Sequence, residues 1–134
     1  MKAVFGTLAA FCLAVALSAV AGPAPTVDLD GLRRNAGAGD RVAQYNLGVL
    51  LEKGQLGVAE DKTQAVEWYR KSADQGYANA QYNLGVLYLR GEGVAPDRQA
   101  AIHWLQSAAV QHHQPAQAAL EKLGVAVPQS SAEN

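Results

Sequence analysis

The chain has 134 residues, a formal net charge of −1 and 49% hydrophobic residues, values that suit one small globular domain. The slightly acidic balance, without a cluster of lysine or arginine, argues against nucleic acid or an anionic membrane surface as a partner. The single cysteine, Cys12, lies in the N-terminal apolar segment, so the rest of the chain has neither a disulfide nor thiol chemistry.

Residues 1–21 have the pattern of a secretory signal peptide. A single lysine near the N-terminus precedes an apolar run (3–17), and an A-x-A triplet ends at Ala21. The alternative is an uncleaved membrane anchor, for which the apolar run is near the lower limit of length. We therefore expect cleavage after Ala21, a periplasmic or secreted location, and no stable membrane insertion of the cleaved protein. Residues 22–28 are predicted to form a short linker.

The octapeptide AQYNLGVL occurs twice, at 43–50 and at 80–87. Each copy is followed by a glycine-containing segment, KGQLGVAED at 53–61 and RGEGVAPD at 90–97. The beginning of a third copy, AQAALEKLG, lies at 116–124. The resulting period of 36 or 37 residues is typical of stacked supersecondary units.

Apolar and small residues recur at helical spacing in both halves of each unit. Between the halves, Asp61 and Asp97 stand where an N-cap side chain accepts from the first backbone N–H groups of a helix. Gln64 is placed to complete a capping box with Asp61. Each unit is therefore predicted to be a helix–turn–helix. The predicted fold is all-α, a short α-solenoid of antiparallel helix–turn–helix repeats with two full units plus capping helices.

Two units are few for such an array, which generally needs about three to bury a continuous core, so both ends must be covered. The predicted organisation is a repeat domain over 29–124, with repeats at about 43–79 and 80–115, capping helices at 29–38 and 116–124, and a disordered tail over 125–134. The alternative is that a partner, or a second copy of the chain in an oligomer, covers an apolar repeat edge.

Six residues form the predicted structural motif of the repeats: Gly48, Gly85, Trp68, Trp104, Asp61 and Asp97. The two glycines lie in mid-helix, where glycine costs about 1 kcal/mol relative to alanine. We expect the second helix to approach closely at these glycines, which would offset the cost, with Ala73 and Ala109 offering equally small surfaces. The tryptophans are expected to supply large apolar area between neighbouring helices.

The chain over about 43–124, which contains both units, resembles the Sel1-like repeat family, a relative of the tetratricopeptide repeats. The resemblance rests on A-x-x-x-L-G-x-x-Y, G-x-G-V-x-x-D, A-x-x-W and a closing A-A or S-A pair. Three positions depart from the pattern. Leu51 replaces the tyrosine, Leu56 lengthens the first turn, and His112 replaces the glycine that stands at Gly76 in the first unit. The resemblance implies a non-catalytic adaptor or scaffold that binds another protein or peptide, with exported members acting in envelope complexes or signalling.

A partner-binding site is also implied by the resemblance. In tetratricopeptide repeats, the residue before L-G and those three and six or seven positions later line a peptide groove on the concave face. The matching residues here are Asn46, Val49, Lys53, Asn83, Val86 and Arg90. Their amides would bond a partner's backbone, and their basic groups would meet a carboxylate. The alternative is that they are ordinary solvated helix positions.

The alternative function is a metal-binding or hydrolytic envelope protein that uses His103, His112 and His113. Ser107 lies one helical turn from His103, but no third residue is placed to orient the imidazole. Neighbouring histidines point apart on a helix, and no carboxylate at suitable spacing completes a metal-ligand set. We therefore predict no enzymatic activity, no catalytic residue, no metal and no cofactor.

Overall fold

A computed structural model of the chain describes Gly22 and residues 26–129. The predicted signal peptide, and residues 130–134 of the predicted tail, lie outside the described residues. The described part contains six α-helices and no strand, which confirms the all-α prediction: α1 (Leu29–Gly37), α2 (Arg41–Lys53), α3 (Lys62–Asp74), α4 (Ala78–Arg90), α5 (Arg98–Ala109) and α6 (Gln114–Lys122). None of these helices combines the length and apolar character needed to cross a membrane.

Each helix packs against the next along the chain, and a recurring hydrogen bond divides the six into two equivalent sets. A glutamine near the start of α2, α4 and α6 donates its amide to a carbonyl eight residues earlier, at the end of the preceding helix. The pairs are Gln44 with Ala36 (3.1 Å), Gln81 with Ala73 (3.2 Å) and Gln117 with Ala109 (3.2 Å). The helices α2, α4 and α6 are therefore first helices of a unit, and α1, α3 and α5 are second helices. Two full pairs, α2–α3 and α4–α5, lie between two single helices.

Aspartates begin α3 and α5, as the sequence predicts. The carboxylates of Asp61 and Asp97 accept 3.0 Å hydrogen bonds from the backbone N–H groups of Gln64 and Ala100. The predicted capping box does not form, because the N–H of Asp61 donates to the carbonyl of Leu51 at 2.8 Å. The Gln64 amide instead donates to the Asp61 carboxylate at 3.1 Å.

The glycines in the middle of α2 and α4 are sites of close helix approach, as expected. A Cβ atom at Gly48 would lie 2.7 Å from the ring of Tyr69, and one at Gly85 would lie 2.9 Å from Cγ of Leu105. The expectation that small alanines face these glycines is wrong, because a fully buried large side chain fills each position instead. Glycine is thus required by the bulk of its neighbour.

The turn of the second unit packs on the start of α3. A Cβ atom at Gly93 would collide with the backbone carbonyl of Lys62. Beside this contact, Lys62 Nζ forms a 2.7 Å salt bridge with Glu92. The hydrogen bond between them raises the pKa of Lys62 and lowers the pKa of Glu92. Backbone packing and charge pairing therefore join the two units.

Two residues that depart from the repeat pattern adopt left-handed backbone conformations. Leu56, the extra residue of the first turn, has φ of 55°. His112 has φ of 62°, where the equivalent Gly76 has φ of 81°. A side chain in this region is strained, because its Cβ approaches the following carbonyl oxygen. The chain therefore keeps the turn geometry although the glycine is missing.

The last helix begins at Gln114, two residues before the predicted start of the capping helix. The reason is that His113 serves as its N-cap: Nδ1 accepts a 3.2 Å hydrogen bond from the N–H of Ala116. Beyond the helix, Val125 and Val127 are partly buried against the cluster formed by α5 and α6. The first residues of the segment predicted as a disordered tail are thus packed on the domain.

Candidate partner-binding groove

A groove of about 310 Å³ runs between the two first helices α2 and α4. It is lined by Tyr45, Val49, Glu52 and Lys53 of α2 and by Tyr82, Asn83, Val86 and Arg90 of α4. Tyr45, Val49 and Glu52 on α2 are spaced by four and three residues, and Asn83, Val86 and Arg90 on α4 by three and four, so each set shares one helix face. The groove is therefore a continuous surface formed by side chains from both units.

Five of the six sequence-predicted residues line this groove: Val49, Lys53, Asn83, Val86 and Arg90. The sixth, Asn46, is exposed and does not line it. Asn46 is the counterpart of Asn83, which faces α2 across the groove. No first helix precedes α2 in the described part of the chain, so the edge of α2 that carries Asn46 has no such neighbour.

Three groove residues, Tyr45, Tyr82 and Glu52, are absent from the sequence prediction. The two tyrosines are equivalent members of the duplicated octapeptide, and they directly precede the predicted site residues Asn46 and Asn83. Tyr45, Val49 and Glu52 follow the i, i+4, i+7 spacing of one helix face. This spacing, followed from Val49 one turn toward each end of α2, indicates Tyr45 and Glu52, and the same step from Val86 toward the N-terminus of α4 indicates Tyr82.

The side chain of Glu52 is held in place by Tyr69 of α3. The Tyr69 hydroxyl donates a 2.5 Å hydrogen bond to Glu52 Oε2. Burial raises the pKa of Tyr69, and the carboxylate partner raises it further. The phenol therefore stays protonated and remains a donor to the wall of the groove.

Tyr45 packs edge-on against Tyr77, with ring centroids 5.2 Å apart, and against Tyr69 at 5.8 Å. Burial raises the pKa of Tyr45, with a smaller lowering from the side chain of Asn83. Tyr45 is thus fixed by aromatic neighbours on α3 and at the start of α4. This end of the groove is aromatic.

The opposite end of the groove is basic. Lys53 and Arg90 stand in the last turns of α2 and α4, and both are exposed. Among the described residues, neither forms a salt bridge. Val49 and Val86 lie between the basic end and the aromatic end. The groove thus offers two valine side chains, a carboxylate from Glu52, an amide from Asn83 and two cations that are available to a ligand carboxylate.

Of the three histidines of the alternative function, His113 has a structural role. Both ring nitrogens of His113 are engaged, Nδ1 with the N–H of Ala116 and Nε2 with Asn79 Oδ1 at 2.9 Å. Ser107 donates its hydroxyl to the backbone carbonyl of His103 at 2.9 Å, not to the imidazole ring. Within the described residues, no group of three or more His, Cys, Asp or Glu is placed to hold a metal ion.

The profile of the Sel1 repeat matches the chain at residues 41–77 and 78–113, which coincide with the two helix pairs and their turns. The chain belongs to the Sel1 repeat family. Sel1 repeat proteins generally mediate protein–protein interactions, and the fold is typically a non-catalytic interaction module. No curated protein matches this Sel1 repeat chain.

Two of the solved structures that are similar to this Sel1 repeat protein illustrate the likeness. One is a protective antigen present in uropathogenic Escherichia coli strains, which displays an SLR fold. It is 40% identical, with a TM-score of 0.68, over 69% of this chain and 20% of its own length. The other is a Sel1 repeat protein from Oxalobacter formigenes, 39% identical, with a TM-score of 0.67, over 69% of this chain and 26% of its own. The chain therefore spans about a quarter or less of each of these proteins.

Proposed function

We propose that the protein is an exported, non-catalytic adaptor that binds a peptide segment of a partner protein in the groove between α2 and α4. The observation that carries the proposal is the position of two cations, Lys53 and Arg90, at one end of the groove, where neither forms a salt bridge with another described residue. A carboxylate of the bound peptide meets these cations. Such a ligand is an acidic side chain or a peptide C-terminus.

The remaining groove residues fit the other needs of an extended peptide. Val49 and Val86 offer apolar contact for a side chain of the ligand. The Asn83 amide, with both donors and an acceptor, suits the backbone of a peptide that lacks internal hydrogen bonds. Tyr45 and Tyr82 add flat contact area at little cost in side-chain entropy. The site is preorganised, because Tyr69 fixes Glu52 and aromatic neighbours fix Tyr45.

The direct test is photo-crosslinking in the cells that make the protein. A photoreactive amino acid at Val86 samples the groove, and the same group at Val110, exposed at the end of α5, is the matched control. A single protein that crosslinks from Val86 and not from Val110 supports the proposal. Equal capture from both positions, or none from Val86, contradicts it.

Export is a separate part of the proposal and rests on the pattern of residues 1–21. The expected mature N-terminus is Gly22, after cleavage behind Ala21. Intact-mass measurement of protein recovered from the periplasm or medium tests this directly. A full-length mass in the cytosolic fraction contradicts export without affecting the proposal for the groove.

A further inference from the structure

The two repeat units serve as an internal comparison, because one of them lacks a side chain that the other has. In the second unit, Tyr88 at the end of α4 accepts, through its hydroxyl, a 2.6 Å hydrogen bond from Arg70 Nη2 of the preceding second helix. The equivalent pair in the first unit is Leu51 and Arg33. Leucine has neither the ring nor the hydroxyl, so Arg33 has no phenol to bond.

A cleft of about 300 Å³ lies where the first unit lacks this ring. It is lined by Arg33, Leu47, Leu51, Val58, Gln64 and Trp68. Three of these, Leu47, Leu51 and Val58, are buried core residues and form an apolar floor. Their counterparts in the second unit include Leu84, Tyr88, Val94 and Trp104, so the phenol of Tyr88 belongs to the same set of neighbours.

We propose that this cleft binds the phenol side chain of a tyrosine supplied by another polypeptide. The ring would pack on the buried leucines and beside Trp68, and its hydroxyl would accept from the Arg33 guanidinium, as Tyr88 does from Arg70. The occupant is inferred from the second unit, where the protein itself places a tyrosine in this environment. The cleft shares no residue with the groove between α2 and α4, so the inference goes beyond the proposed function.

The size and polarity of the cleft agree with this occupant. Its volume is at the lower end of the range of roughly 300–1,000 Å³ that is usual for ligand pockets, which suits a single aromatic ring. Arg33 lies 3.6 Å from Asp30 in an exposed ion pair, an interaction weak enough to be exchanged for a bound hydroxyl. Gln64 adds an amide on the rim, at a position where the second unit has Ala100.

The test uses p-cresol, which is the tyrosine side chain without its backbone. The two tryptophans give two indole N–H signals in an NMR spectrum, one for each unit. In the wild-type protein, p-cresol is expected to shift the Trp68 signal in a saturable manner and to leave Trp104 unchanged. Equal shifts of both signals, or none at Trp68, would overturn the proposal.

Reciprocal variants sharpen the test. Leu51→Tyr places the missing ring in the cleft and is expected to weaken p-cresol binding at Trp68 by at least about tenfold, with the fold retained. Tyr88→Leu is expected to open a second site, reported by Trp104. Arg33→Gln, an exposed change that leaves the core intact, is expected to weaken p-cresol binding about threefold to tenfold. Unchanged binding in Leu51→Tyr overturns the proposal even if Tyr88→Leu fails to fold.

A pair of peptides identifies the source of the ring. Gly-Gly-Tyr-Gly-Gly is expected to shift Trp68 and to compete with p-cresol, whereas Gly-Gly-Phe-Gly-Gly binds more weakly because it has no hydroxyl for Arg33. Binding of p-cresol without binding of the tyrosine peptide would overturn the assignment to a polypeptide side chain.

Discussion

The amide of Gln81 in α4 donates a 3.2 Å hydrogen bond to the backbone carbonyl of Ala73 at the end of α3. Gln81 also accepts, through Oε1, a 2.9 Å hydrogen bond from the amide of Gln111 at the end of α5. One buried side chain thus joins three successive helices. The same arrangement occurs one unit earlier, where Gln44 bonds Ala36 and accepts from Gln75.

Replacement of Gln81 by alanine is expected to destabilise the fold by about 1–3 kcal/mol, because two hydrogen bonds are lost: the carbonyl of Ala73 keeps the N–H of Gly76 but loses the Gln81 amide, and Gln111 loses its acceptor. Urea unfolding monitored by circular dichroism measures the change. Gln99→Ala, an exposed position on α5, is the control and is expected to change stability by less than about 0.5 kcal/mol. Equal effects of the two changes would show that the buried bond is not stabilising.

Replacement of Gly85 by alanine is expected to destabilise the fold by about 1–3 kcal/mol. The new methyl group would meet Leu105 at 2.9 Å and the backbone carbonyl of Ala101 at 3.1 Å. Gly37, a helical glycine with open space around it, provides the matched control. Its replacement by alanine is expected to be neutral or stabilising by up to about 1 kcal/mol. Thermal unfolding of both variants checks the expected opposite signs.

Replacement of His112 by glycine is expected to stabilise the protein by about 0.5–1 kcal/mol. The change removes the strain of a side chain on a left-handed backbone with φ of 62°. The larger conformational entropy of glycine in the unfolded chain offsets part of the gain. Gly76→Ala, the reverse change at the equivalent position, is expected to destabilise. A lower melting temperature for His112→Gly would mean that its imidazole makes a stabilising contact that outweighs the strain.

The stability of the fold is expected to fall in mild acid because of His113. Burial lowers the pKa of His113 below its ordinary value of 6.5, and protonation of Nδ1 would break the cap on Ala116. In the unfolded chain His113 has its ordinary pKa. Between the lowered and the ordinary pKa, the unfolded chain therefore binds more protons than the folded protein. The contribution of neutral His113 to the free energy of unfolding is therefore complete above about pH 6.5, and it is lost as the pH falls through the lowered pKa.

The variant His113→Asn keeps a capping acceptor but does not titrate in this range. Its unfolding free energy, measured by urea titration between pH 5 and pH 8, is expected to depend less on pH than that of the wild type. An identical slope in both proteins would exclude His113 as the source of the effect.

The fold was predictable because its determinants are local and duplicated. Asp61 and Asp97 mark helix starts by their own chemistry, and the period of the octapeptide fixes the units. The side chain that packs against a given residue from another helix was less predictable. Gly48 indicated a close approach, but only the three-dimensional packing shows that Tyr69, and not an alanine, makes it.

The groove was predictable only in part for the same reason. Asn46 and Asn83 are identical in local sequence, and they differ in whether a first helix stands beside them. Gln44 and Asn46 are both polar residues conserved between the copies, yet one is buried in a packing bond and the other is exposed. Duplication in the sequence does not separate these cases, because burial depends on neighbours from other units.

The most direct test of the groove measures how tightly the crosslinked partner binds a variant with both charges reversed, Lys53→Glu with Arg90→Glu. Lys122→Glu is the control, since Lys122 is the basic residue in the last turn of α6 and lies outside the groove. We expect at least a tenfold loss of affinity in the double variant, with folding intact by circular dichroism and no loss in the control. An unchanged affinity in the folded double variant would contradict it.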